Sequence, residues 1–188
     1  MTWPVDLTPD RFPGTIRREM TVESTATEDG RLAFTAVLRD RWYDDGNVEE
    51  IHGYEVRMVT QPPDLTVVSI DVQPRFLPFP DCPAAALAAR QLLGQRLTRG
   101  FRQAATAALG GVEGCTHLLT LVLAIWNHQV VTKYTLTRTD DGSHPDGMPD
   151  FGGIANTCSG WREGGVGLDL VRRGQPLPRS VDWSDRDR

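Results

Sequence analysis

Apolar and polar positions alternate through the first third of the chain and then change rhythm. Leu32, Phe34, Ala36 and Leu38 occupy one parity while Arg31, Thr35 and Arg39 fall on the other, the period-two pattern of a strand with one buried face. Thr15 to Val22 reads as a shorter strand before it, joined through the polar turn Glu28-Asp29-Gly30, so the two predict a hairpin. After the polar loop Asp44 to Asn47, His52, Tyr54, Val56 and Met58 alternate with Glu55 and Arg57, and Val68, Ile70 and Val72 follow the turn Gln61-Pro62-Pro63-Asp64. Links this short favour antiparallel neighbours, so four antiparallel strands are expected between Thr15 and Val72.

From Pro83 the spacing becomes helical. Proline suits the first helical position, and the alanine-rich stretch Ala84 to Leu93 has strong helix propensity until Gly94 ends it. A second helix is expected from Thr98 to Leu109, with Phe101, Ala104, Ala105 and Ala108 on one face and Gly110-Gly111 closing it. A third begins near Cys115, with Leu118, Leu119, Val122, Leu123 and Trp126 at helical spacing. Val131 to Thr137 either extends that helix or forms a strand, because β-branched residues lower helix propensity without forbidding it. Thr139 to Gly153 is an acidic Gly/Pro-rich loop, a lid or a plain connection, and Ile154 to Arg173 returns to moderate order. The expected fold class is α+β: a four-stranded antiparallel sheet with three or more helices on one face. One domain should span residues 1–174, followed by a flexible C-terminal tail at 175–188.

Composition narrows the function classes. The chain has 188 residues, enough for a sizeable core, so a metal site would serve function and not merely folding. Twenty basic side chains against 25 acidic ones give a net charge of -5, and Lys133 is the only lysine. A surface that neutralises phosphates needs clustered basic residues, so nucleic acid is not an expected partner. The longest apolar run, Leu118 to Trp126, is far short of a membrane helix, and no basic stretch followed by an apolar one marks the N-terminus. The expectation is a cytoplasmic protein that does not bind membranes, in which three cysteines serve as thiols or metal ligands and not as a disulfide framework.

Those thiols occupy informative places. Cys82 directly precedes Pro83, and Cys115 follows a glycine-rich turn directly before an apolar helix, so both belong at helix N-termini. Unpaired N–H groups and the helix dipole favour a thiolate there, the form that holds a metal or attacks a carbonyl. Cys158 after Asn156-Thr157 is a weaker case of the same arrangement. With His52 on the third strand and His117 two residues after Cys115, the five side chains offer a soft sulfur and nitrogen set suited to zinc, iron or an iron–sulfur cluster. Asp40 to Asp45 reads as a strand end entering a polar turn, and no acid is placed by sequence to orient a histidine. His128 and His144 read as surface or loop residues without partners.

Ile51-His52, Cys82-Pro83, the run Gly114-Cys115-Thr116-His117-Leu118 and the late Thr157-Cys158 together resemble a bacterial family known only as a domain of unknown function, over about Thr15 to Arg173. More distantly, the order of elements resembles the NifU/IscU-type iron–sulfur scaffold. His52-Gly53 opens a strand, a hairpin turns at Pro62-Pro63-Asp64, Cys82 caps an alanine-rich helix, Gly94 to Leu97 turns into another, and Cys115 opens the last. That resemblance implies an IscU-like fold in which His52, Cys82 and Cys115 converge at one end of the sheet, with His117 or Cys158 as fourth ligand to zinc or a small iron–sulfur cluster. His52 stands where the scaffold has its first cysteine, Tyr54 stands where it has an aspartate, and a chaperone-docking Leu-Pro-Pro-Val-Lys is absent. A retained metal is therefore expected over a delivered one. Two other classes fit the same residues: a cysteine- or metal-dependent enzyme of acyl transfer or hydrolysis, and a metal-free subunit that contacts another protein.

Overall fold

A computed structural model describes residues 14–98, 100–136, 155–156 and 158–175. Four strands come first: β1 (Thr15–Ala26), β2 (Leu32–Asp44), β3 (Asn47–Gln61) and β4 (Thr66–Phe76). They form one antiparallel sheet in the order β1-β2-β3-β4, a meander of successive hairpins. The β2–β3 connection is the two-residue turn Asp45-Gly46, with both residues at positive φ, a geometry whose twist matches that of the flanking strands. Asp44 and Asn47, expected in a loop, are therefore the last and first residues of paired strands.

Helices follow: α1 (Cys82–Ala88), tightening into a 3-10 turn at Ala89–Leu92, then α2 (Phe101–Leu109) and α3 (Thr116–Leu136). The ambiguous stretch after Val131 continues α3 as far as Leu136. Residues 139–153 and 176–188, to which a loop and most of the tail were assigned, lie outside the described residues, as does His144. The chain divides into two compact units, Met1–Asn127 and His128–Arg188. In the second, Ser159–Trp161 forms a 3-10 turn and α4 (Val166–Arg172) buries Leu168 and Val171. No helix among the described residues is long and apolar enough to cross a membrane.

The core of the first unit lies on one face of the sheet. Leu32, Phe34, Ala36 and Leu38 of β2 and Tyr54, Val56 and Met58 of β3 are buried there. They form one cluster with Ala89, Leu92, Phe101, Ala105, Leu109, Leu118, Leu121, Val122 and Ile125 from the helical half. Trp126 packs against this cluster and donates its indole N–H to the Thr98 carbonyl at 3.3 Å. The alternation read from β2 and the helical spacing read from α2 and α3 thus describe two sides of the same apolar layer.

Candidate functional site

The site begins as a continuation of that layer. Across β2 and β3 the core-facing pairs run Phe34 with Met58, Ala36 with Val56, Leu38 with Tyr54, and then Asp40 with His52. Asp40 is only 5% exposed, on the parity that its apolar predecessors fill. Immediately beyond it the register shifts, so that Arg41 faces Glu50 and Ile51 is the extra residue. A bulge of this kind locally re-aims the strand, and here it adjoins His52. On the other side of β3, Gly53 lets β4 approach closely: a Cβ at that position would lie 3.1 Å from Arg75 Cβ and 3.3 Å from the Phe76 nitrogen.

A buried carboxylate needs compensation, and Asp40 receives it from the neighbouring strand. Arg18 on β1, the register partner of Asp40, donates from Nε to Oδ1 and from Nη2 to Oδ2, each at 2.7 Å. This fork holds the Asp40 carboxyl below its usual range, working against desolvation, and the charges of Arg18, His117 and His52 add in the same direction. Two imidazoles then converge on one oxygen: His52 Nδ1 and His117 Nε2 each lie 3.5 Å from Asp40 Oδ2. Their rings stack with centroids 4.0 Å apart and an interplanar angle of 26°. Burial lowers the pKa of His117, and the charges of His52 and Arg18 lower it further against the pull of Asp40.

His117 arrives from the helical side. The turn before α3 is closed by Gly114, where a Cβ would fall 2.0 Å from the Leu109 carbonyl oxygen, so only glycine fits. Cys115 follows, donating its N–H to that carbonyl at 3.0 Å and accepting the first helical hydrogen bond from Leu119 at 2.9 Å. The thiol of Cys115 lies 3.8 Å from His117 Nδ1, so the imidazole stands between a thiol on one nitrogen and a carboxylate on the other. Cys82 is the first residue of α1, as its proline neighbour implies. Cys82 and Cys115 are both half-buried, and both sit within electrostatic reach of the Tyr54 hydroxyl. That hydroxyl is raised well above the ordinary tyrosine value, by burial first and then by the two thiols. Tyr54 is fully buried.

Of the five side chains singled out from the sequence, His52, His117 and Cys115 therefore meet directly, and Cys82, at the start of α1, lies within electrostatic reach of Tyr54. Cys158 is exposed, caps a 3-10 turn and belongs to the second unit. The three donor groups that come within 4.8 Å of one another are Asp40, His52 and His117. Two residues of this cluster, Asp40 and Arg18, escape the sequence reading. The stretch from Asp40 is a strand end entering a polar turn, as expected, but Asp40 lies on its buried parity with both imidazoles facing its carboxylate. The signal was the parity itself, since Asp40 follows Leu32, Phe34, Ala36 and Leu38 on the buried face. His128, read as unpartnered, lies half-buried on α3, and its carbonyl accepts the Thr132 hydroxyl at 3.1 Å.

A family model described as a protein of unknown function (DUF2889) matches residues 16–130. The chain belongs to this family. The matched span covers the four strands except Thr15 and runs to within α3, so Arg18, Asp40, His52, Cys82, Cys115 and His117 all lie inside it, whereas Cys158 lies beyond. No curated protein and no solved structure matches the chain.

Proposed function

We propose that the protein binds a single divalent transition-metal ion through Asp40, His52 and His117, keeping a coordination position open for chemistry. One observation carries the reading: three donors of ligand type, two of them 3.5 Å from a shared carboxylate oxygen, all lie within 4.8 Å of one another. Two donors each ~2.1 Å from a tetrahedral ion stand about 3.4 Å apart, so small side-chain rotations would suffice. The depressed pKa of His117 supports the reading, because a ligand must present a neutral imidazole. So does the Arg18 fork, which fixes the carboxylate and leaves the side of Oδ2 that faces the histidines available. The guanidinium also places a positive charge near the ion, so affinity should fall below that of an all-thiolate zinc site.

Two imidazoles and a carboxylate suit zinc or ferrous iron better than an iron–sulfur cluster, which needs thiolates. Cys115 stands beside His117, and together with Cys82 it would extend the group toward the mixed sulfur and nitrogen site of an IscU-like scaffold. The order of strand, hairpin and two cysteine-led helices keeps that likeness as part of the proposal. Cobalt(II) titration of metal-free protein distinguishes these donor sets. Visible d–d bands at one equivalent, lost with at least a 100-fold drop in affinity in His52→Ala or His117→Ala, are expected. Intense near-ultraviolet thiolate-to-cobalt absorption would add Cys115 or Cys82 to the set. Unchanged binding in both histidine variants would end the proposal.

A second reading is favoured by the contact between Cys115 and His117. With Asp40 behind the imidazole, the three form the nucleophile, base and orienter of a thiol enzyme for acyl transfer or hydrolysis. Stoichiometric alkylation of Cys115 in metal-free protein, slowed in His117→Ala, is its signature.

A further inference from the structure

The two outer edges of the sheet are finished differently. β4 carries Pro74, and its outer edge is met by the segment after α1. Val67 donates its N–H to the Gln95 carbonyl at 2.8 Å, Gly94 to Val67 at 2.8 Å and Leu97 to Leu65 at 3.1 Å. At the opposite edge, no described strand lies beyond β1. This strand pairs with β2 over twelve residues without a register shift and contains no proline or lysine. Bulges, prolines and charges keep an edge from accepting another strand; β1 has no bulge and no proline, and its charges, Arg17, Arg18, Glu19 and Glu23, are of both signs. Its core-facing Ile16 and Met20 are 57% and 45% exposed, although their partners across the ladder continue the buried face.

We propose that β1 pairs with β1 of a second copy of this chain, antiparallel about a twofold axis at Met20, to give a continuous eight-stranded sheet. The order of charges selects this occupant and this register. With Met20 opposite its own copy, Arg17 falls opposite Glu23 of the second copy, twice by symmetry, and the two Met20 side chains meet on the core-facing side. Keeping both core faces on the same side allows shifts only in steps that move the axis by one residue. Centring on Glu19 sets the two Glu19 residues against each other, and centring on Thr21 sets Glu19 against Glu23. Both neighbouring registers therefore oppose like charges. Arg17 and Glu23, the two residues this register brings together, are both exposed. The pairing would also cover the flank of the metal-site candidate, because Arg18 lies within the paired stretch with its side chain 46% exposed.

Sedimentation equilibrium of the full chain tests the proposal. Dimers are expected, with the dissociation constant rising at least tenfold in Arg17→Glu and in Glu23→Arg and returning toward the parent value when the two are combined. In a Cys158→Ser background, oxidation should link Met20→Cys, but not the background protein or Thr25→Cys, into a disulfide-bonded dimer, since only a residue on the axis meets its own copy. Circular dichroism on each variant separates loss of pairing from loss of fold. A chain that stays monomeric overturns the proposal, as does a monomer whose outward-pointing β1 amides, those not bonded to β2, are already protected from exchange, which would mean that another stretch of the same chain covers the edge. Failure of the double variant to restore association overturns the register at Met20.

Discussion

The β2–β3 pair carries two different solutions to the same burial. At one end Phe34 faces Met58, and three pairs further on Asp40 faces His52, on the same side of the sheet. Phe34 is 1% exposed and Asp40 5%. The first end is held by removal of apolar surface from water and by close packing, which demand only volume and shape. The second buries an ionised group, which is tolerable only because Arg18 meets both carboxylate oxygens and two imidazoles face what remains. Neighbouring positions of one pleated face thus divide the labour. The dry end supplies stability, and the polar end gives up part of it to hold a carboxylate and two imidazoles together.

The largest effect should come from breaking the dry end. Phe34→Ala removes a fully buried ring from the core cluster and is expected to cost about 3–5 kcal/mol in urea unfolding. The affinity of the remaining folded protein for cobalt(II) should be unchanged. A comparable loss of metal affinity would mean that the two ends are mechanically one unit.

A smaller effect follows from emptying the polar end. Arg18 is half exposed, so the loss in Asp40→Ala is discounted from the ~3–5 kcal/mol of a fully buried broken pair to about 2 kcal/mol. Converting the polar end into a dry one should undo that loss. Arg18→Met with Asp40→Leu is expected to lie within about 1 kcal/mol of the parent, because an apolar pair needs no compensation. Metal binding should be absent in both. Urea midpoints and cobalt titration of the same three proteins would separate the site's structural contribution from its chemistry.

The dry end was legible in the sequence because packing writes itself as periodicity. Leu32 to Leu38 and Leu118 to Trp126 announced a half-buried strand and a buried helix face, and both join the core. The helix starts at Cys82 and Cys115 were legible too, through proline and glycine chemistry. The polar end was read only in part. His52 and His117 were singled out by residue type, but nothing local brings residues 65 positions apart into a stacked pair. Asp40 is hidden within a stretch that reads as a strand end entering a polar turn, although it extends the buried parity. The bulge at Ile51, which sets how β3 passes Asp40, has no signature in the residues around it. Arg18 lies in a strand whose every neighbour is exposed from Thr15 to Thr21, so burial offered no hint of its task.

The smallest expected effect concerns protons, and it separates the members of the polar end from one another. His117 has a lowered pKa in the folded state, so between that value and the ordinary 6.5 the unfolded chain binds more protons than the folded one. Stability contributed in this way is complete above the ordinary histidine value and falls as the pH drops through the window below it. Asp40 is also lowered, and the same sign follows at a lower pH. Its contribution is present above the ordinary value of 3.8 and is lost as the pH falls through the depressed one. Acid should therefore weaken the metal-free protein in two steps, the first from histidine and the second from the Arg18-compensated carboxylate. Urea midpoints measured with a chelator from pH 7.5 down to pH 3 would check this. His117→Gln should flatten the first step and leave the second, while Arg18→Met with Asp40→Leu should remove the second. A single step that survives both substitutions would assign the acid response to other carboxylates, such as Glu55 between Arg57 and Arg75, whose pKa is lowered by the same kind of pairing on the far face of the sheet.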